Sequence, residues 1–138
     1  MRNLLCHSGP SSGFQSVGLL LLRLSGGILM LVLHGWGKYQ KFEDRADSFP
    51  DPLGVGSPTS MALTIFAEVI CASLIAIGLC TRWAAAVGLF TMSVAASVIH
   101  GEDPLSDKES ALMYLSVYGA LICLGAGKFS LDHLIHRR

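Results

Sequence analysis

The sequence predicts an all-α membrane protein in which four transmembrane helices form an antiparallel bundle, with a Pro/Gly-rich loop between helices 1 and 2. Of its 138 residues, 51% are hydrophobic and 14% are charged, whereas about 25% are charged in an average soluble domain. The mean hydropathy is +0.54. Charge is almost confined to the connections, because four apolar segments contain only Arg23 and Glu68 as charged residues. These segments are residues 17–33, 61–79, 83–99 and 111–126.

Each apolar segment has nearly the length that a transmembrane helix needs. The segments run from 16 to 19 residues, and about 20 residues cross a hydrocarbon core of about 30 Å. Flanking aromatic and hydroxyl residues add a turn to each of them. A helix of a soluble bundle would show a polar stripe, but segment 83–99 offers only Thr91, Ser93 and Ser97 as polar positions. Lipid is therefore the solvent that this composition predicts.

The balance of charge bears on partners and on topology. Lys plus Arg and Asp plus Glu number 10 each, which leaves no basic excess to neutralise nucleic-acid phosphates. Basic residues near helix ends favour the cytoplasmic side, and five of them lie on the side that holds both termini, against four on the other. We therefore expect both termini in the cytoplasm. The five are Arg2, Arg82, Lys128, Arg137 and Arg138; the four are Lys38, Lys41, Arg45 and Lys108.

The connections suggest how the helices are arranged. The link at residues 80–82 is so short that helices 2 and 3 must be antiparallel neighbours. Residues 37–58 contain three Pro and three Gly, which predicts an ordered cap over the bundle rather than a helix. Ser106 followed by Glu109 predicts a capping box at the start of helix 4. The expected organisation is a flexible leader (1–13), a four-helix membrane domain (14–132) and a basic tail (133–138).

Arg23 and Glu68 are the two charged residues of the apolar segments, and placing them in a bilayer costs free energy. A charge at the bilayer centre costs about 2.5–3.5 kcal/mol, so each should meet a partner or a polar cavity. At 1.5 Å per residue, Arg23 lies roughly 9 Å and Glu68 roughly 18 Å above the cytoplasmic plane. We expect the two side chains to interact directly or through water. Two interpretations stay open: a structural ion pair between helices 1 and 2, and a proton-handling carboxylate tuned by Arg23.

Further polar residues converge in the outer half of the predicted bundle. On a helical wheel, Arg23 and His34 share one face of helix 1, and Lys38 continues it. His100 closes helix 3 at the height of His34. The expected pocket is formed by His34, Lys38, Glu68, His100, Glu109 and Tyr114. Each also has an ordinary structural role open to it, since aromatic rings favour the headgroup level and Glu109 is accounted for by capping.

Neither metal nor thiol chemistry is predicted. The helices lack the tight His and Glu spacings that are typical of zinc or di-iron sites, so no metal residue is assigned. The cysteines form no Cys-x-x-Cys pair, and Cys71 and Cys80 are too far apart along one helix to form a disulfide. The sequence shows no flavin or haem motif.

Several motifs together carry a resemblance to a known family. They are Arg-Leu-x-x-Gly at 23–27, His-Gly-x-x-Lys at 34–38, Gly-Leu-x-Thr-Arg at 78–82 and Gly-x-Gly-Lys-Phe-Ser-Leu-Asp at 125–132, with Glu68, His100 and Glu109 between them. Over about residues 17–132 the chain resembles the DoxX family of bacterial membrane proteins. The resemblance implies a four-helix protein of the bacterial inner membrane. It also implies a redox link, because the family is associated with thiosulfate:quinone oxidoreductase and terminal quinol oxidase subunits.

The expected function is therefore a quinone-linked oxidoreductase subunit with quinone as its cofactor. Glu68, His34 and His100 are the expected catalytic residues; Arg23, Lys38, Glu109 and Tyr114 are the expected pocket residues. The expected partners are the lipid bilayer, a redox partner protein that supplies electrons, and further copies of this chain. A non-enzymatic membrane scaffold or assembly factor is the alternative. A small-molecule transporter is a weaker one, because four helices leave little room for a pathway without an oligomer.

Overall fold

A computed structural model describes residues 12–136, and within this range the chain is helical with no strand. The predicted all-α class is therefore confirmed. Most of the expected leader (1–13) and the last two residues of the expected tail lie outside the described residues. The helices, numbered along the chain, are α1 (Gly13–Gln40), α2 (Phe42–Arg45), α3 (Ser57–Ile77), α4 (Thr81–Ile99), α5 (Leu105–Leu124) and α6 (Leu131–His136).

Three helices of the described range, α1, α3 and α4, are long and apolar enough to cross a membrane. They contain the first three apolar segments of the sequence. Helix α5 has 20 residues but is not among them. Its first turns carry Asp107, Lys108 and Glu109, which make that end of the helix polar. A fourth crossing therefore stays a prediction.

The ends of the helices follow from local sequence. Helix α1 begins with a capping box, in which the Ser12 hydroxyl accepts a hydrogen bond from the Gln15 N–H and the Gln15 side chain accepts one from the Ser12 N–H. Helix α3 ends at Gly78, whose left-handed conformation (φ 76°) suits glycine. Only residues 78–80 then separate α3 from α4, and the two helices pack together, as their short link requires.

Two expectations about the connections need correction. The predicted capping box of Ser106 and Glu109 is wrong: α5 begins at Leu105, Pro104 is its N-cap, and no side chain caps it. Pro104 has a fixed φ and lacks an N–H, so it starts the helix before Ser106, whose hydroxyl donates to Asp107 instead. The connection between α1 and α3 is also more helical than expected. Only residues 49–56 remain irregular after α2 and a 3-10 turn at Ala46–Ser48.

Small residues let the helices approach closely. A Cβ atom at Gly27 would lie 2.6 Å from the backbone oxygen of Ala72. A Cβ atom at Gly88 would lie 2.7 Å from the Tyr118 ring. The first contact joins α1 to α3 and the second joins α4 to α5. Such positions hold helices together in lipid, where no hydrophobic force acts between them.

Each of the three apolar helices contains a π-helical segment that the sequence did not reveal. The segments are Met30–Gly35 in α1, Phe66–Cys71 in α3 and Ala95–Ile99 at the end of α4. The first two pack against each other. Wide turns of this kind are rare and often occur at functional sites. Here they contain His34 and Glu68 and immediately precede His100.

Candidate functional site

The centre of the site is an ion pair between Lys38 on α1 and Glu68 on α3. Lys38 Nζ lies 2.6 Å from Glu68 Oε2, and the side chains are 30% and 6% exposed, respectively. The same ammonium donates a longer bond, 3.4 Å, to the backbone oxygen of His34. Glu68 is thus a nearly buried carboxylate whose charge is balanced by Lys38.

A close backbone contact brings these two side chains together. A Cβ atom at Gly35 would lie 2.6 Å from the backbone oxygen of Glu68, so only glycine fits between the π segments of α1 and α3. Lys38 follows Gly35 by about one helical turn, which places its long side chain beside the Glu68 carboxylate. The sequence indicated both residues, but the role of Gly35 was missed. Its place in the His-Gly-x-x-Lys motif was the available signal.

The expected interaction of Arg23 with Glu68 is wrong. The buried Arg23 guanidinium donates to the backbone oxygens of Ala76, at 3.3 Å, and Phe129. These acceptors belong to the C-terminal end of α3 and to the segment before α6. Beside them, the buried Asp132 carboxylate accepts hydrogen bonds from the N–H groups of Cys80 and Thr81. Arg23 therefore belongs to a separate polar centre near the C-terminal end of α3, part of which, Phe129 and Asp132, lies late in the chain.

A cavity of about 430 Å³ lies between α3, α4 and the irregular segment that follows α2. Three predicted site residues, Lys38, Glu68 and His100, line it. Most of its other lining side chains are apolar: Phe49, Pro50, Pro52, Leu53, Leu63, Phe66, Val87, Phe90, Met92, Val94, Ala95 and Ile99. The lining threonines, Thr64 and Thr91, donate their hydroxyls to backbone oxygens of their own helices. The charged and imidazole groups are therefore the main polar groups that a ligand would meet.

His100 is oriented by its own loop. Its Nδ1 lies 2.7 Å from a carboxylate oxygen of Asp103, which leaves Nε2 as the other hydrogen-bonding atom of the ring. His100 comes directly after the π segment of α4, where the chain leaves the helix. The structure thus places an imidazole on the lining of the same cavity as the Lys38–Glu68 pair.

The remaining predicted residues lie outside the cavity lining. The ring of His34 contacts the Tyr114 ring edge-on, with 5.6 Å between ring centres, and Tyr114 stacks on Tyr118 at 5.8 Å. The backbone oxygen of His34 faces Lys38, and the His34 and Tyr114 side chains lie within electrostatic range of the Glu68 carboxylate. Glu109 is exposed on α5. The predicted roles of His34, Tyr114 and Glu109 in binding or catalysis are therefore not supported by a contact with the cavity.

Asp51 is a site residue that sequence reasoning missed. Its carboxylate accepts hydrogen bonds from the Ser60 hydroxyl at 2.6 Å and from the N–H groups of Val55 and Gly56 at 3.0 and 2.7 Å. These bonds, that of Ser60 first, lower the pKa of Asp51 below its ordinary value. They tie residues 49–53, here called the lid, to the start of α3; all of these residues except Asp51 line the cavity. An Asp ahead of two closely spaced glycines, Gly54 and Gly56, was the signal for this turn.

Within residues 12–136, no group of three or more His, Cys, Asp or Glu side chains is placed to hold a metal ion. The site therefore rests on an ion pair, an imidazole and an apolar wall. These groups can donate and accept hydrogen bonds and can exchange protons.

Comparison with known proteins identifies the family. The family model described as DoxX matches residues 18–101, which include most of α1, all of α3 and α4, the lid, and Lys38, Glu68 and His100 of the cavity lining. The Gly-x-Gly-Lys-Phe-Ser-Leu-Asp segment lies beyond the matched part. Neither a curated protein nor a solved structure matches the chain. The extent of the family match shows that the chain belongs to the DoxX family of membrane proteins.

Proposed function

We propose that this DoxX protein binds a quinone headgroup in the cavity and acts as a quinone-linked oxidoreductase component. One observation carries the proposal: an apolar cavity of about 430 Å³ has the Lys38–Glu68 ion pair and His100 on its lining. Small-molecule sites are typically 300–1,000 Å³ and mostly apolar, with a few polar groups that orient the ligand. A quinone ring has these needs, since its body is apolar and its two oxygens accept hydrogen bonds.

The residues present fit such a headgroup. Lys38 has three ammonium hydrogens, of which one goes to Glu68 and another faces the His34 oxygen. One hydrogen therefore remains for a headgroup oxygen, and His100 offers Nε2 as a second donor. A bound quinone takes up two electrons, from a partner protein in this proposal, and two protons. Glu68 is the carboxylate that would hold and pass on a proton, while Lys38 keeps its charge balanced.

We also propose that α5 is the fourth transmembrane helix and that both termini lie on the cytoplasmic side of a bacterial inner membrane. The support is the length of α5, 20 residues, and its extensive packing against α4. The acidic side chains around residues 102–109 would then lie outside, level with His100. Reporter fusions after α4 and after α5 test this topology, because the two fusions should report opposite sides of the membrane.

Tryptophan fluorescence offers a sharp test of quinone binding. The Trp83 ring packs edge-on against Phe66 at 6.1 Å between ring centres, and Phe66 lines the cavity. The chain has 2 tryptophans, so Trp36→Phe leaves Trp83 as the single reporter. Quinone added to liposomes should quench Trp83 saturably, at about one equivalent per chain. Glu68→Gln or Lys38→Met should raise the quinone concentration needed for half-maximal quenching about ten-fold, since either change removes one charge of the ion pair that lines the cavity.

The control keeps the other tryptophan. Trp83→Phe leaves only Trp36, which lies on α1 against Tyr39 and does not contact the cavity. Its quenching should rise gradually with quinone in the lipid and should not saturate. If Trp83 behaves in the same gradual way, the cavity does not hold a quinone and the proposed function is wrong.

A membrane scaffold is the second candidate, and one observation favours it. The ion pair is already closed at 2.6 Å between α1 and α3, which is how a purely structural link would look. Under this function, Glu68→Gln lowers thermal stability and expression while a partner protein fails to assemble, and no quinone is retained by the purified protein. A transport pathway would instead need several copies of the chain, which measurement of the oligomeric state in detergent would reveal.

A further inference from the structure

The cavity wall between α3 and α4 is also part of the outer surface of the protein. Leu63 on α3 is 51% exposed and Phe90 on α4 is 57% exposed, yet both line the cavity. Phe66 and Ile99 share this double position. A single layer of side chains therefore separates the cavity from the surroundings here. This layer, formed by Leu63, Phe66, Phe90 and Ile99, is called the portal.

The portal faces lipid rather than water. Its residues lie within α3 and α4, two of the helices that are apolar enough to cross a membrane. The lid covers the end of the cavity that faces the aqueous phase. A hydrogen bond from the Ser60 hydroxyl to Asp51 holds the lid to the start of α3. The less obstructed direction from the cavity is therefore sideways, between the two helices and into the acyl chains.

We infer that the ligand enters from the bilayer through the portal and that its apolar tail remains there after binding. This inference rests on the proposed quinone site and names its substrate class: a quinone with a long hydrocarbon tail, dissolved in the membrane, rather than a water-soluble quinone. A cavity of about 430 Å³ lies at the small end of ligand sites, so it holds a headgroup but not a long tail. The tail must therefore leave the cavity, and the portal is apolar.

The polar end supports the same ligand class. Lys38 and Glu68 neutralise each other, so the cavity has little net charge to attract an ionic headgroup. A neutral headgroup meets donors from Lys38 and His100 and an acceptor from Glu68. An anionic lipid headgroup would leave a charge unbalanced near Glu68, which is costly in a mostly buried site.

The test compares two ligands and two matched variants. The ligands are 2,3-dimethoxy-5-methyl-1,4-benzoquinone and the same headgroup with a long isoprenoid tail. Leu63→Trp fills the portal, whereas Ile70→Trp adds the same bulk to the same helix at a position that is 49% exposed and does not line the cavity. Binding to purified protein in detergent is followed by native mass spectrometry. Leu63→Trp should weaken binding of the tailed quinone about ten-fold more than it weakens binding of the bare headgroup, and Ile70→Trp should change neither.

The outcomes separate this inference from the proposed function. If neither ligand binds the wild-type protein, the quinone site itself is wrong. If both bind and Leu63→Trp leaves the tailed ligand unaffected, the site stands and the portal is wrong. A dimer that Leu63→Trp dissociates, with unchanged binding of the tailed ligand, would mean that a second copy covers this face and would also overturn the portal.

A second measurement does not depend on a bulky variant folding. The tailed quinone carries a photoreactive diazirine on its first isoprenoid units and is irradiated with the wild-type protein in liposomes. Labelled peptides should contain Leu63, Phe66 or Phe90. If excess bare headgroup abolishes the labelling of these residues, the portal is supported. Labelling confined to the lid would place the tail on the aqueous side and would contradict the portal.

Discussion

Lys38 Nζ and Glu68 Oε2 lie 2.6 Å apart, and this contact links α1 to α3. The two side chains come from helices that touch at Gly35. The pair therefore combines two functions in one place: it joins the helices, and it supplies the main polar surface of an apolar cavity. Variants of these residues separate the two functions.

Breaking the pair on one side should destabilise the protein. Lys38→Met leaves the nearly buried Glu68 carboxylate without its cation, which costs about 2–4 kcal/mol in the free energy of unfolding. Lys38→Met combined with Glu68→Gln removes both charges and should recover part of that loss. Thermal unfolding of the purified variants in detergent measures both effects. A double variant that is less stable than Lys38→Met alone would contradict this account of the pair.

Gly35 should tolerate no larger side chain. Gly35→Ala places a Cβ atom 2.6 Å from the backbone oxygen of Glu68, so α1 and α3 must move apart at the cost of about 1–3 kcal/mol. The matched control is Gly37→Ala, because nothing lies within 4 Å of a Cβ atom at Gly37. That change should be neutral or slightly stabilising, since Ala favours a helix over Gly. The same thermal unfolding measurement applies, and equal melting temperatures for the two variants would disprove the close contact.

Arg23 should affect stability without affecting the cavity. Arg23→Met removes the hydrogen bonds to the backbone oxygens of Ala76 and Phe129, and we expect a loss of about 2 kcal/mol from two unpaired, partly buried acceptors. Binding of quinone to the Trp83 reporter form should stay within about two-fold, because Arg23 does not line the cavity. A loss of binding as large as that of Lys38→Met would instead indicate that Arg23 acts on Glu68.

The sequence predicted the helices better than it predicted their contacts. The three long apolar helices could be predicted because an apolar run of this length with at most one charge is typical of a transmembrane helix, and the structure places Lys38, Glu68 and His100 of the predicted pocket on one cavity. Arg23 was misplaced because its partners, near Ala76 and Phe129, depend on how a late segment folds back. His34 was placed in the cavity on a wheel of 3.6 residues per turn. In the structure the His34 ring contacts Tyr114, which was predicted for the same pocket, but does not line the cavity. His34 lies in the π segment Met30–Gly35, whose wider turn departs from that wheel.

The lid should loosen in acid. Hydrogen bonds from Ser60, Gly56 and Val55 lower the pKa of Asp51, so the ionised carboxylate is the form that holds the lid. A group with a lowered pKa in the folded protein contributes stability above its unfolded pKa of about 3.9. That contribution is lost as the pH falls below about 3.9 and through the folded value. At neutral pH the lid should therefore be closed.

Asp51→Asn tests this coupling, because an amide that accepts fewer and weaker hydrogen bonds mimics the protonated acid at every pH. Proteolysis at neutral pH within residues 49–56 should be several-fold faster in Asp51→Asn than in the wild type, while cleavage elsewhere is unchanged. Asp47→Asn is the matched control, since Asp47 is exposed on the same connection and makes no comparable set of hydrogen bonds to the lid. Pepsin cleavage of the wild-type lid should accelerate as the pH is lowered from about 4 towards 2, and that of Asp51→Asn should follow only the activity of pepsin itself. Equal pH profiles for the two proteins would show that Asp51 does not control the lid.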